Sequence, residues 1–245
     1  FGCIMTTSGS VDFSVTRANL IEDALIIVGG LDEGGTSSSA QTTRCSRILN
    51  MIVKAWNSKR IQLWTRATGY VLPFTGANKT TLGSTGGHAT LSYTQTTLSA
   101  SAASGASTIS VTSATGISNG YYIGIELTDN TMFWTTVNGA PSGTTVTLTA
   151  VLTGAASSGD YVYVYQTKLV RPIRVVDAFI HDQSSGSDTE LDVSPKANYD
   201  MLSLKTSSGT PVQCVYDPQL TAGDFYVYPR FGDGRKVVTI IFQRP

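Results

Sequence analysis

From residue 98 onward the chain is a succession of short extended runs cut by glycine, and that rhythm restricts the fold more than any other feature. "YYIGIEL", "TMFWTTV", "GTTVTLTAVL" and "DYVYVYQT" are rich in β-branched and aromatic residues and are separated by Gly-bearing turns. None is long enough to bury a helical face, whereas each has the length of a strand. The stretch before them, "SASAASGASTISVTSATGISNG", is almost free of charge and dominated by Ser, Thr, Ala and Gly. We read residues 98–168 as a small all-β domain. Sequence of another texture lies on both sides, so this domain reads as an insertion. The expected organisation is therefore 1–97, 98–168 and 169–245, with the outer two segments forming one core.

The first segment carries helical periodicity. Thr16 is placed to cap a helix whose apolar stripe is Leu20, Ile21, Ala24, Leu25 and Val28, ended by Gly29 and Gly30. After "LDEGGTSSS", Ser39 is placed to cap a second helix with the stripe Cys45, Ile48, Leu49, Ile52, Val53 and Trp56. Two amphipathic helices joined by a short loop predict a helical hairpin. In the last segment "LVRPIRVVDAFIHD" and "RKVVTIIFQRP" read as strands, "SPKANYDML" as a short helix with Ser194 as cap and Pro195 at its first position. "PVQCVYDPQLTAGDFYVYP" reads as two strands around a turn at Pro218–Gly223. The fold class expected is α+β: a helical hairpin packed with a β-layer, plus the inserted all-β domain.

Charge narrows the function classes. Lys plus Arg and Asp plus Glu are balanced at 17 each, without the basic excess of a protein that grips nucleic acid through its phosphates. Charged residues are only 14% against 41% hydrophobic, the balance of a chain with a core. Three cysteines, at 3, 45 and 214, are too few and too scattered for a disulfide framework or a zinc site, and Cys45 and Cys214 fall on apolar faces as expected buried thiols. The longest apolar run, "ALIIVGGL", is too short to span a bilayer. "FGCIM" is followed at once by polar sequence, which does not fit a secretory leader, and Met5 is a candidate start.

Reactive constellations are weak. Gly116–Gly120, "GISNG", matches the pattern of a hydrolase nucleophile elbow around Ser118, but that motif needs a strand before it and a helix after it, and here strands flank both sides. His88 and His181 share no ligand spacing and read as hydrogen-bonded loop histidines. Asp188, Glu190 and Asp192 alternate along one strand face with too few oxygens for a calcium loop. The glycines of "GGLDEGG" lack the Lys-Ser/Thr ending of a phosphate-binding loop. Neither a catalytic residue, a metal nor a cofactor is expected. Arg44, Arg47, Lys54, Lys59 and Arg60 lie on or just after the second helix, as a solvated face or as a contact for an acidic partner.

"QTTRCSRILNMIVKAWNSKRIQLWTR" resembles the second helix and following strand of head–tail adaptor proteins of short-tailed bacteriophages, through Leu49, Asn50, Ile52, Val53, Lys54 and Trp56, then Leu63 and Trp64. The C-terminal half is similar to the same family, whose "GRP-x-Q-Y-Y-Y-D-x-Q-L" stands here as Gly209, Pro211, Gln213, Tyr216, Asp217, Gln219 and Leu220, with Thr210 and Cys214 departing from it. The resemblance implies a structural protein of the virion, present as a ring of about twelve copies between the portal and the tail nozzle. It implies as partners the portal protein, a tail nozzle or tail tube protein, tail fibres, further copies of the chain, and genome DNA passing through the lumen without sequence-specific binding. A membrane is not among them. Assembly in the bacterial host cytoplasm and residence at the head–tail junction follow from the same likeness. On this reading Arg44, Arg47, Lys54, Lys59 and Arg60 meet a neighbouring subunit or the portal. Trp56, Trp64 and the C-terminal motif are scaffold, with Phe225, Tyr226 and Tyr228 bracing the β-layer. The alternative is an adhesin-like β-rich binding module with Tyr121, Phe133 or Trp134 as the ligand platform; a hydrolase is a third reading.

Overall fold

The computed structural model of the chain describes residues 15–58 and 66–244. They fall in two compact units, Phe1–Trp64 and Thr65–Pro245. In the first, α1 (Arg17–Ile27) and α2 (Ser39–Ser58) form a hairpin. Thr16 caps α1, its Oγ1 accepting a hydrogen bond from the Asn19 amide at 3.2 Å. Gly29, at φ 70°, takes the chain out of the last turn in a conformation that other residues avoid. The cap of α2 is Ser38, one residue before the expected Ser39. Its Oγ accepts from the Gln41 amide (3.3 Å) while Gln41 Oε1 accepts from the Ser38 amide (2.9 Å), a reciprocal box that satisfies two amides otherwise left without a helical partner.

The second unit is built of strands. Three come first: β1 (Arg66–Val71), β2 (Lys79–Leu82) and β3 (Ala89–Thr90). β4 (Thr94–Thr97) follows, just before the expected start of the insertion at residue 98, and the expected inserted region then supplies β5 (Thr108–Ser110), β6 (Tyr122–Glu126), β7 (Met132–Thr136), β8 (Thr145–Thr147) and β9 (Tyr161–Tyr165). Then follow β10 (Arg174–Asp182), β11 (Ser187–Glu190), β12 (Asp192–Val193), the five-residue helix α3 (Lys196–Asp200), β13 (Ser208–Gly209), β14 (Gln213–Asp217), β15 (Gly223–Tyr228), β16 (Arg230–Phe231) and β17 (Lys236–Gln243). The Ser194 hydroxyl does not cap α3; it hydrogen-bonds the Asp192 carboxylate, and Pro195 occupies the cap position.

Strand accounts for 37% of the structure and helix for 15%, in several sheets, which overturns the expected α+β class. The long helices end with α2, and apart from the five-residue α3 the regular structure from Arg66 on is strand. The hairpin and the β-layer also fall in different compact units.

A five-stranded sheet runs in the order β11-β10-β17-β1-β3, and a four-stranded one in the order β12-β14-β15-β2. Their shared core includes Val71, Leu82, Val175, Ile180, Phe225, Val227, Ile240 and Phe242. β17 lies at the centre of its sheet, between β10 and β1, and is buried on both faces, which is why "VVTIIF" is apolar at every position but Thr239 rather than alternating. On β10 the inward set changes parity, from Val175 to Ala178 and Ile180, because a bulge between Val175 and Asp177 adds one residue on that strand.

The region from Thr94 to Tyr165 has its own sheet, β4-β9-β6-β7, and the β5–β8 ribbon, around a core that includes Leu98, Ile109, Ile123, Ile125, Val146, Val162 and Val164. Its other face is also covered. Along "YVYVY" the valines enter that core, while Tyr163 and Tyr165 pack against Leu72 and Val237 of the first layer. The seam between the layers is polar and specific. Tyr163 Oη donates to Gly234 O at 2.9 Å, Trp134 Nε1 to Pro73 O at 3.4 Å and the Met132 amide to Thr75 Oγ1 at 2.8 Å. Glu126, 1% exposed, accepts from the amides of Gly234 and Tyr161 (3.3 Å each) and faces Arg235 at 3.6 Å. Burial holds its carboxyl above the ordinary carboxylate range, with the two amides and Arg235 pulling the other way.

Candidate assembly surface

The helical hairpin combines apolar exposure with segregated charge. Ile21 is the buried residue of α1, and Cys45 and Leu49 on α2 are half-buried, so these mark the inward sides. Around them is a groove with about 610 Å³ of open space, lined by side chains such as Ala24, Leu25, Val28, Cys45, Leu49 and Ile52. Much of the rest of the apolar surface is open: Ile27 is 83% exposed, Val28 75%, Met51 66% and Ile48 51%. At about 25 cal/mol per Å² of apolar surface, leaving several large aliphatic side chains in water forgoes stabilisation of a few kcal/mol.

The expected contact residues Arg44, Arg47 and Lys54 are all exposed on α2, which carries no acidic residue. Lys59, Arg60, Leu63 and Trp64 lie outside the described residues. Trp56, expected to pack in the core, is 44% exposed, and Cys45, expected to be buried, is only half so. The stripe that predicted burial is real as a pattern, but among the described residues of this unit the two helices bury only part of it.

The C-terminal motif is not one surface. Gly209 pairs β13 with β16 in parallel register, Pro211 is buried, and Gln213 faces Tyr228 across β14 and β15. Tyr216 Oη donates to Pro172 O at 2.6 Å, and its ring occupies the space that a Cβ on Gly223 would need. Asp217 faces Asp224 in the register, and Gln219 O accepts from Arg171 Nη1 at 3.0 Å. Leu220, read as scaffold, is 95% exposed in the turn between β14 and β15 and braces nothing among the described residues. Cys214 is buried, which pushes its thiol up to about 12, far from a reactive thiolate. Phe225 is fully buried, while Tyr226 and Tyr228 are half-buried.

The reactive motifs resolve into packing. His88 is stacked on Trp134 (ring centroids 3.8 Å apart, 8° between planes), and its Nδ1 lies 2.8 Å from Tyr165 Oη. Burial, with Lys168 nearby, lowers its pKa to about 4, so the ring is neutral near pH 7. His181 Nδ1 lies 2.6 Å from Asp188 Oδ1 across β10 and β11. Ser118 sits between Gly116 and Gly120, both at positive φ near 80°, in a turn between strands. The proposed ligand platform is occupied: Trp134 belongs to the seam, and Phe133 and Tyr121 pack partly against the module's own core. The one local sign of the seam in the sequence is the Val/Tyr alternation of "YVYVY". Among the described residues, no three His, Cys, Asp or Glu side chains gather as metal ligands, and no helix is long and apolar enough to cross a membrane. Comparison of the chain with protein-family models, with curated proteins and with solved structures returned no match.

Proposed function

We propose that this chain is a structural subunit of a ring adaptor between a phage portal and its tail nozzle, with DNA passing through the lumen without being held. One structural observation carries the reading: the hairpin, whose sequence resembles the helix motif of such adaptors, leaves apolar and basic side chains exposed on its own two helices. A neighbouring subunit in a closed ring covers such a surface in every copy. The balanced net charge suits a lumen that does not retard the genome. The described titratable groups with marked shifts, such as His88, Cys214 and Tyr216, are held by packing and hydrogen bonds within the fold.

The test is mass measurement and imaging of the purified full chain, alone and with portal rings. The expected result is a closed ring of about twelve copies, formed alone or on the portal. A chain that stays monomeric in both conditions, and is absent from purified particles, refutes the reading.

A further inference from the structure

The two outer edges of the hairpin differ in sign. On an α-helix, side chains at i, i+3 and i+7 fall in one row, because each residue turns the chain by about 100°. On α1, Leu20, Asp23 and Ile27 form such a row on the side away from buried Ile21. On α2, Arg44, Arg47 and Met51 form one with the same spacing, away from half-buried Cys45 and Leu49, and Lys54 extends it. All of these side chains are exposed, and among the described residues Asp23, Arg44 and Arg47 make no ion pair. Each row therefore sets apolar side chains beside charge, acidic on α1 and basic on α2.

The geometry points to a head-to-tail contact in which the α1 edge of one copy, Leu20–Asp23–Ile27, packs against the α2 edge, Arg44–Arg47–Met51, of the next. The inference rests on the ring reading for its occupant, a second copy of this chain, and adds which surfaces meet. Two alike edges brought together would oppose Arg44 and Arg47 to their own copies, or Asp23 to its own copy, whereas unlike edges pair them. A contact between unlike surfaces is also the kind that propagates and closes into a ring rather than stopping at a pair. Ile27 and Met51, the most exposed apolar side chains of the two edges, supply the apolar part.

The experiment uses the full chain in sedimentation, with wild type, D23K, R44E/R47E and the combined D23K/R44E/R47E. Circular dichroism verifies that each variant keeps its helical signal. Wild type is expected to self-associate with concentration. Either single-edge reversal should weaken association by at least about tenfold, and the combined reversal, which restores opposite signs, should recover most of it. A variant that lost folding would not be rescued by further charge changes, so recovery separates the contact from a structural effect. Self-association that survives both single-edge reversals, or a combined variant no better than either, overturns the inference. So does a wild-type chain that is monomeric at every concentration. A chain found in rings on the portal whose association ignores these charges sinks this contact and leaves the ring reading standing. Paired edges in a chain absent from purified particles do the reverse.

Discussion

Acidification should loosen the seam between the two β layers through His88. An unfolded-chain histidine titrates near pH 6.5, whereas His88, buried against Trp134 and Tyr165, titrates at about 4. Between those values the unfolded chain binds a proton that the folded chain refuses. The contribution is therefore fully present above about pH 6.5 and is lost as pH falls toward 4. The linkage relation gives a loss of about 2 kcal/mol at pH 5 relative to pH 8, rising to about 3 kcal/mol near pH 4. Glu126 works in the opposite sense, because its raised pKa lets the folded state take up a proton before the unfolded one. A comparison of variants removes that term. In H88F the aromatic stack is kept but nothing titrates, and the Tyr165 hydroxyl loses its partner at every pH, which shifts stability by a constant. Urea unfolding of wild type and H88F at pH 8, 6 and 5, followed by tryptophan fluorescence, should give curves whose stability gap changes by about 2 kcal/mol between pH 8 and 5. A gap that does not change with pH would refute the claim that the folded seam excludes the proton.

Three further outcomes follow from the geometry. G124A places a methyl group 2.5 Å from the Trp134 ring, so the indole must leave its stack on His88, with a cost of about 1–3 kcal/mol and a red-shifted tryptophan emission in the folded state. An unshifted spectrum and an unchanged urea midpoint would contradict that account. Y216F removes the hydroxyl that donates to Pro172 O and should cost about 1–2 kcal/mol in the β unit, read by thermal unfolding at neutral pH. S38A breaks the reciprocal cap of α2 and should cost the hairpin about 1 kcal/mol, visible as faster amide exchange in the first turn of α2 with the β unit unaffected.

The elements themselves were legible in the chain because the relevant signals are local. Thr16 and Gly29 bracket α1, the alternation of "DFYVY" marks β15, and β14 is marked by its turn at Pro218–Gly223 although Cys214 and Val215 are buried in succession. The fold class was not, because a helical stripe over residues 17–58 weighs heavily in a reading by segments, while the regular structure of the rest is nearly all short strands. Ser38 and Ser39 are both good caps, and only the reach of Gln41 back to Ser38 decides between them. The candidate surface was half legible. Arg44, Arg47 and Lys54 were visible as a basic group, but Trp56 was read as core because a stripe does not say whether a neighbour exists to cover it. Leu220 was read from its motif, and a motif carries no information on exposure. The aromatic seam is a contact between residues far apart in sequence, such as His88 with Trp134 and Tyr163 with Gly234, which no local period encodes.

The entrance and exit of the Thr94–Tyr165 module lie side by side: the Leu169 amide donates to Ala89 O at 2.7 Å, and Thr90 Oγ1 to Thr167 O at 2.9 Å. Judged by its ends alone, the module is a cassette that recombination could cut out or exchange at one point of the host fold. Its tyrosine face says otherwise. Leu72 and Val237, both fully buried, would be left against water by its removal, and Pro73, Thr75 and Gly234 would lose their hydrogen-bond partners. Any exchange that keeps a folded protein must therefore carry compensating changes at host sites outside the exchanged segment, such as Thr75 and Gly234, so that module and host are tied together despite adjacent ends.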